Sequence, residues 1–221
     1  MLYFMLLYIG KIMPFLKNWR NKMFEYVKLK NYKSFGDIEF NLLDKNKNPK
    51  NLILIFGENG IGKSNLASSF FMLSETLRTM DVRDIMQSIL SDPEQLKDEE
   101  FSRFLKARYR DIETLIQENK MVDSEEPMSL EFGFRLKDKN GRQKSGRYIL
   151  ETNNTQIIHE RLEFTLLRNR GAYFDITPMK TVISPKIFLE NTAYQEIQKS
   201  CAMYWGKHSL LAILMHESDD K

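Results

Sequence analysis

Gly57 and Gly62, followed directly by Lys63 and Ser64, fit the spacing G-x-x-x-x-G-K-[ST] inside the stretch "IFGENGIGKSN" (55–65). These residue types at this spacing suit the cradling of a nucleotide's phosphates. Glycines let backbone N–H groups turn inward around phosphate oxygens, and a helix that starts at the loop adds the positive end of its dipole. Lys63 supplies a mobile positive charge for the β and γ phosphates, and the Ser64 hydroxyl supplies a ligand for Mg2+.

A loop of this kind needs a strand before it and a helix after it. "LILIF" (52–56) is a short uninterrupted apolar run, which predicts a central strand buried on both faces. After Lys63, Leu66, Phe70, Leu73 and Leu77 recur at helical spacing within "SNLASSFFMLSETLRTM" (64–80), so one amphipathic helix is expected there. Upstream, "FEYVKLKNYKSFGDIEFNLL" (24–43) alternates on either side of "NYKSFGD", the pattern of two half-buried strands joined by a turn. "DKNKNPKN" (44–51) is a polar loop.

Downstream, "SDPEQLKDEEFSRFLKARYRDIETLIQENK" (91–120) predicts one long helix, capped by Asp92 with Pro93 at its first position and Gln95 completing a capping box. Phe101, Phe104, Leu105, Tyr109, Ile112, Leu115 and Ile116 form its apolar stripe, and the charges between them make a solvated face. From Met128, alternation at Leu130, Phe132, Phe134 and Leu136, a hairpin signal at Asn140-Gly141 and a turn at Asn153-Asn154 predict a three-stranded antiparallel meander ending in "QIIHERLEF" (156–164). The stretch 172–192 reads as irregular, and 193–217 as mainly helical around Gly206.

Composition sets the frame. The 221 residues, 42% hydrophobic and 29% charged, suit an ordinary globular protein and not a disordered one. Lys plus Arg number 33 against 30 for Asp plus Glu, and a net charge of +3 is too small to indicate nucleic-acid binding by itself. One cysteine, Cys201, forms no internal disulfide, and His159, His208 and His216 lack metal-site spacing, so a cytoplasmic setting fits best. Residues 1–22 form an apolar and then basic leader, too short to span a bilayer. It is open to three readings: a start codon placed upstream of the true start at Met23, which fits best, a membrane-surface segment, or an uncleaved signal.

"GENGIGKSN", with Glu58, Asn59, Gly60 and Ile61 inside the loop and Asn65 after the serine, resembles the phosphate loop of ABC-type ATPases of the SMC and RecF kind. "YVKLKNYKSFGDIEF" (26–40) resembles the opening of the same proteins, and the helical section followed by antiparallel strands is similar to the OLD-like and abortive-infection AAA ATPases of bacteria. The resemblance implies an α/β fold of the P-loop NTPase class, an ABC-ATPase N-terminal lobe over 23–221 with mixed β-sheet, helical insertion and antiparallel β subdomain. It implies ATP and Mg2+ as cofactors, bound by residues 57–65, and it brings Ser34 and Phe35 in the first hairpin turn close to the nucleotide.

Such families hold two nucleotides between two heads and take catalytic parts from a later signature segment and an Asp-Glu strand. No such signature occurs here, and in "LLAILMHESDDK" (210–221) His216 stands where the Asp would be, so Glu217 reads as a helix end. The expectation is therefore an N-terminal portion of an ATPase, with its missing C-terminal lobe or a second copy of the head as partner, acting in phage defence or DNA repair alongside DNA or an effector protein. The alternatives are a nonenzymatic nucleotide-binding or interaction module lacking the catalytic half and, disfavoured by the opening strands, a small P-loop kinase. Gln195, the aromatics Tyr194, Tyr204 and Trp205, and the basic cluster Arg103, Lys106, Arg108 and Arg110 all have ordinary helix-surface or core readings.

Overall fold

The computed structural model describes residues 23–50, 52–91, 110–137, 142–166, 169–185 and 191–219. The described chain opens with β1 (Met23–Tyr32) and β2 (Phe35–Asn41), then passes through the helices α1 (Lys63–Thr76), α2 (Thr79–Leu90) and α3 (Ile112–Asn119). Five strands follow: β3 (Met128–Lys137), β4 (Gln143–Thr152), β5 (Ile157–Leu166), β6 (Asn169–Thr177) and β7 (Lys180–Ile183). The helices α4 (Asn191–Tyr204) and α5 (Leu210–Asp219) close the described chain. The strands make one seven-stranded sheet in the order β2-β1-β3-β4-β5-β6-β7, every neighbouring pair antiparallel.

Residues directly opposite one another in a ladder share a face of the sheet. Val27, Phe132, Tyr148, Leu162, Phe174 and Ile183 form one such row across β1 and β3 to β7, and all are buried. Leu29, Leu130, Leu150, Glu160 and Ile176 form a second row on the same face, also buried. The helices lie against this face: the Phe70 ring of α1 sits 4.9 Å from Phe24 and 5.4 Å from Phe132, while α1 packs on α3 and α5 on both α2 and α4.

The opposite face carries charges in complementary cross-strand pairs. Lys28 meets Glu39 at 3.1 Å, Arg147 meets Glu163 at 2.7 Å and Arg161 meets Asp175 at 2.9 Å, each pair directly opposite in register. Hydrogen bonds from Arg147 hold the Glu163 carboxyl down at about 2. An antiparallel sheet with one covered and one charged face follows from the period-2 alternation of its strands.

Glu160 is the exception inside the apolar rows. Its carboxylate accepts hydrogen bonds from the Tyr148 hydroxyl (2.9 Å), Trp205 Nε1 (3.0 Å) and the N–H groups of Leu210 (2.6 Å) and Leu211 (3.4 Å) at the start of α5. The buried acid thus fastens α4 and α5 to the sheet and faces the positive end of the α5 dipole.

Several expectations change. The sheet is antiparallel throughout its described strands, not mixed, and the meander runs to five strands because residues 172–183, expected to be irregular, complete β6 and form β7. The run 52–56 is not a buried central strand: residues 52–58 lie in neither helix nor strand, and Leu52, Leu54 and Phe56 expose 73, 68 and 83% of their surface. The helix after Lys63 breaks at Leu77 and Arg78 into α1 and α2. Of the expected long helix the described part is α3, which starts only at Ile112: the Asp111 side chain accepts from Thr114 N–H at 2.8 Å and caps it. The expected capping residues Asp92, Pro93 and Gln95, the stripe residues Phe101 to Tyr109, the turn residues Asn140 and Gly141, and the leader 1–22 lie outside the described residues. Among the described residues no helix is long and apolar enough to cross a membrane.

Replacing Glu160 by Ala leaves several buried donors without a partner and is expected to cost about 3 kcal/mol in urea unfolding. Burial pushes the Glu160 carboxyl up to about 7 from its ordinary 4.5, against the pull of the Leu210, Tyr148, Leu211 and Trp205 donors. The folded state then binds this proton more tightly than the unfolded chain, so the stability that Glu160 contributes is full below pH 4.5 and falls as pH rises to about 7. The stability margin of wild type over Glu160→Gln should shrink across that window. A margin that grows instead would show the carboxylate ionised and held by its donors.

Candidate functional site

The glycine loop joins the exposed run 52–56 to α1. Gly62 is the residue before the first helical turn, with φ +94°, and no side chain caps the N–H groups that follow it. The first turn holds no acidic residue. A 14-residue helix therefore presents an uncapped, positive N-terminus beside Lys63. Gly60 also has a left-handed backbone, φ +90°, at the exposed tip that it shares with Asn59 and Ile61.

Lys63 closes the loop from within. Its Nζ donates to the carbonyls of Gly57 at 2.8 Å and Glu58 at 2.5 Å, so residues 57–63 wrap around the ammonium group. The Ser64 side chain is exposed at the same helix turn. An ammonium group held by two neutral carbonyls keeps its whole charge available to an incoming anion.

The first hairpin packs against this loop. A Cβ at Gly62 would lie 2.6 Å from the Phe35 ring and 3.1 Å from Ser34 Oγ, so only a glycine allows the turn to come so near. Asn65 Nδ2 donates to Ser34 Oγ at 2.7 Å and locks the turn to α1. One layer deeper, the buried Tyr32 hydroxyl meets Ser68 Oγ on α1 and donates to Asn119 Oδ1 on α3, both at 2.9 Å. Lys33 N–H donates to the Asn119 carbonyl at 2.7 Å. Burial pushes the Tyr32 phenol up to about 12, so it acts here as a neutral strut and not as a base.

The structure thus brings together Gly57, Glu58, Gly62, Lys63, Asn65, Ser34 and Phe35, with Ser64 beside them. Asn59 and Gly60 are exposed at the tip, and the half-exposed Ile61 side chain folds back over Gly57, where it would collide with an added Cβ. The Asn65 amide joins the two parts of the site through its bond to Ser34. Tyr32, Ser68 and Asn119 are supports that sequence reasoning misses: Tyr32 sits in the quoted turn motif, but nothing in the sequence marks Ser68 or Asn119 as its partners.

Other candidates resolve into structural roles. Glu217 on α5 accepts from Ser200 Oγ at 2.6 Å, and His216 bonds to Asp84 of α2. The Tyr204 ring lies 4.5 Å from the Arg83 guanidinium carbon, and Trp205 serves Glu160. Burial pushes the Cys201 thiol up to about 12, which keeps it protonated near neutral pH, and lowers His208 to about 4, which keeps its imidazole uncharged there. Among the described residues no group of His, Cys, Asp and Glu is placed to hold a metal ion. The chain matches no protein-family model, no curated protein and no solved structure.

The close approach at Gly62 gives a graded test. Gly62→Ala combines a left-handed backbone with a collision at Phe35 and is expected to cost about 3 kcal/mol in urea unfolding. Gly60→Ala carries only the backbone penalty, because nothing lies within 4 Å of its added carbon, and should cost about 1 kcal/mol. Equal losses would mean that the hairpin does not bear on the loop.

Proposed function

We propose that the chain binds Mg-ATP through residues 57–65, as the N-terminal portion of an ATPase of the SMC, RecF and OLD kind built on a P-loop NTPase fold. The observation that carries this reading is the loop wrapped around Lys63 at the uncapped start of α1, with the first hairpin turn locked against it through Ser34 and Asn65. Backbone N–H groups of the loop and first helical turn receive the phosphates. Lys63 exchanges two carbonyls for phosphate oxygens, a change that strengthens each hydrogen bond because the acceptor becomes charged. Phe35, packed over Gly62, limits water on that side of the loop.

The metal fits a sparse donor set. Mg2+ commonly takes one or two protein oxygens and fills its remaining positions with phosphate and water, and the exposed Ser64 hydroxyl next to Lys63 is such an oxygen. When bound, the ion would neutralise charge between the β and γ phosphates.

Hydrolysis needs a further group. Positioning and activating a water calls for a carboxylate or equivalent, and the resemblance assigns that role to a later Asp-Glu strand, not to Glu58 of the loop. The chain is therefore read as binding nucleotide without turning it over alone, the catalytic half coming from a second lobe or a second copy. The same observation favours the second reading, a nonenzymatic module that uses nucleotide to govern an interaction. Roles in phage defence or DNA repair, and contact with DNA or an effector protein, follow from the resemblance alone.

Isothermal titration of the full chain with Mg-ATP, beside Lys63→Ala, tests this. Binding that weakens at least ~10-fold in the variant is expected, the loss of about one charge-assisted hydrogen bond, with no steady-state release of phosphate. Absence of binding, or binding indifferent to Lys63, would contradict the proposal. Turnover by the chain alone would show that a catalytic carboxylate is present after all.

A further inference from the structure

Residues 1–22 carry Lys11, Lys17, Arg20 and Lys22 and no acidic residue, and they interleave these charges with Phe15, Leu16 and Trp19 behind the apolar run "LYFMLLYI" (2–9). That combination suits the boundary between lipid headgroups and acyl chains, where apolar and aromatic side chains enter and basic ones stay with anionic phosphates. The run is too short to span the hydrocarbon, which takes about 20 apolar residues, so its chemistry is that of the interface. Binding of this kind grows with apolar area and with electrostatic attraction to anionic lipid together. A short leader therefore gains most from basic residues placed beside it.

The fold supplies them where the leader enters. Met23 opens β1 directly opposite Arg135 of β3. The Arg135 guanidinium donates to the Lys47 carbonyl and to Gln143 Oε1 at the start of β4, both at 3.0 Å. One end of the sheet thus gathers the first residue of β1, the loop 44–50 and the start of β4, and Lys45, Lys47 and Lys50 are all exposed there. Internal bonds hold the loop in shape: Asp44 Oδ1 accepts from the N–H groups of Asn46 and Asn48, both at 2.8 Å, and Lys50 N–H donates to the Leu42 carbonyl at 2.9 Å. The same bonds occupy the Asp44 carboxylate, and Arg135 occupies that of Glu25, so the acids of the loop and of the β1 start are engaged.

We infer that this end of the chain docks on a bilayer rich in anionic phospholipid, the leader entering the interface and Lys45, Lys47 and Lys50 resting on the headgroups. A nucleic-acid backbone would use the lysines and leave the apolar run 2–9 without a partner. A bilayer uses both. Docking also orients the molecule, because the glycine loop packs on the turn after Tyr32, at the far end of the ten-residue β1 and about 30 Å from the lipid. The inference stands apart from the nucleotide reading and is tested with no nucleotide present.

The test is flotation of the full chain with vesicles of phosphatidylcholine containing about 30% phosphatidylglycerol, since bound protein rises with the lipid and aggregated protein sinks. Flotation is expected, with little on phosphatidylcholine alone and a steep loss as salt rises from about 0.1 to 0.5 M. Combining Lys45→Glu, Lys47→Glu and Lys50→Glu should weaken partitioning at least about tenfold and leave the circular dichroism spectrum unchanged, because all three side chains are exposed. Leu6→Glu with Leu7→Glu should abolish flotation. The inference is overturned by a chain that does not float, by equal flotation on neutral vesicles, by indifference to either set of substitutions, or by a duplex oligonucleotide that strips the chain from the vesicles.

Discussion

Burial of the row Val27, Phe132, Tyr148, Leu162, Phe174 and Ile183 forces the helices onto one face of the sheet. Each large side chain taken fully out of water contributes about 2 kcal/mol, and the row crosses six of the seven strands, so a helix placed elsewhere would leave it bare. Among the charged pairs of the opposite face, the exposed Lys28–Glu39 pair contributes little, whereas Glu163 is buried between Arg147 and Arg161. These pairs keep that face wet and fix the register, since a slip of one residue would send Arg147, Arg161 and Glu163 into the core. Glu160 is tolerated within the buried row because Tyr148, Trp205 and the start of α5 fill its hydrogen-bonding capacity.

The glycine loop inherits its position from this arrangement. Phe70 anchors α1 over Phe24 and Phe132 at the β1–β3 side of the sheet, which brings the start of α1 under the turn between β1 and β2. Tyr32 then ties β1 to α1 and α3 with one hydroxyl, and Asn65 ties α1 back to Ser34. Rigid elements on three sides hold a loop whose own residues are mostly exposed. That is a suitable design for a binding site, because the ordering cost is met by the scaffold before a ligand arrives.

Much of the scaffold is legible in the sequence. Alternation at Leu130, Phe132, Phe134 and Leu136 and again at Tyr148 and Leu150 gives away β3 and β4, and hairpin, glycine loop and helix follow one another in the order that their motifs suggest. The later strands are hidden by a bulge: register shifts between Leu162 and Glu163, so Tyr173 and Phe174 are both buried and the period-2 pattern breaks. The run 52–56 misleads for another reason. A sequence of apolar residues reports what a segment needs, not whether the same chain supplies it, and here the described sheet passes it by. Asp111 caps the start of α3 at a point where apolar periodicity alone predicts helix interior, since its side chain takes a backbone N–H group.

The central claim is that anionic phosphate is received at the start of α1. Backbone amide shifts in 15N spectra of the full chain, recorded with and without Mg-ATP, test it most directly. Large changes confined to residues 57–65 and to Ser34 and Phe35 are predicted, together with their loss in Lys63→Ala. Changes that map to the charged face of the sheet around Arg147 and Arg161, or that persist without Lys63, would contradict it.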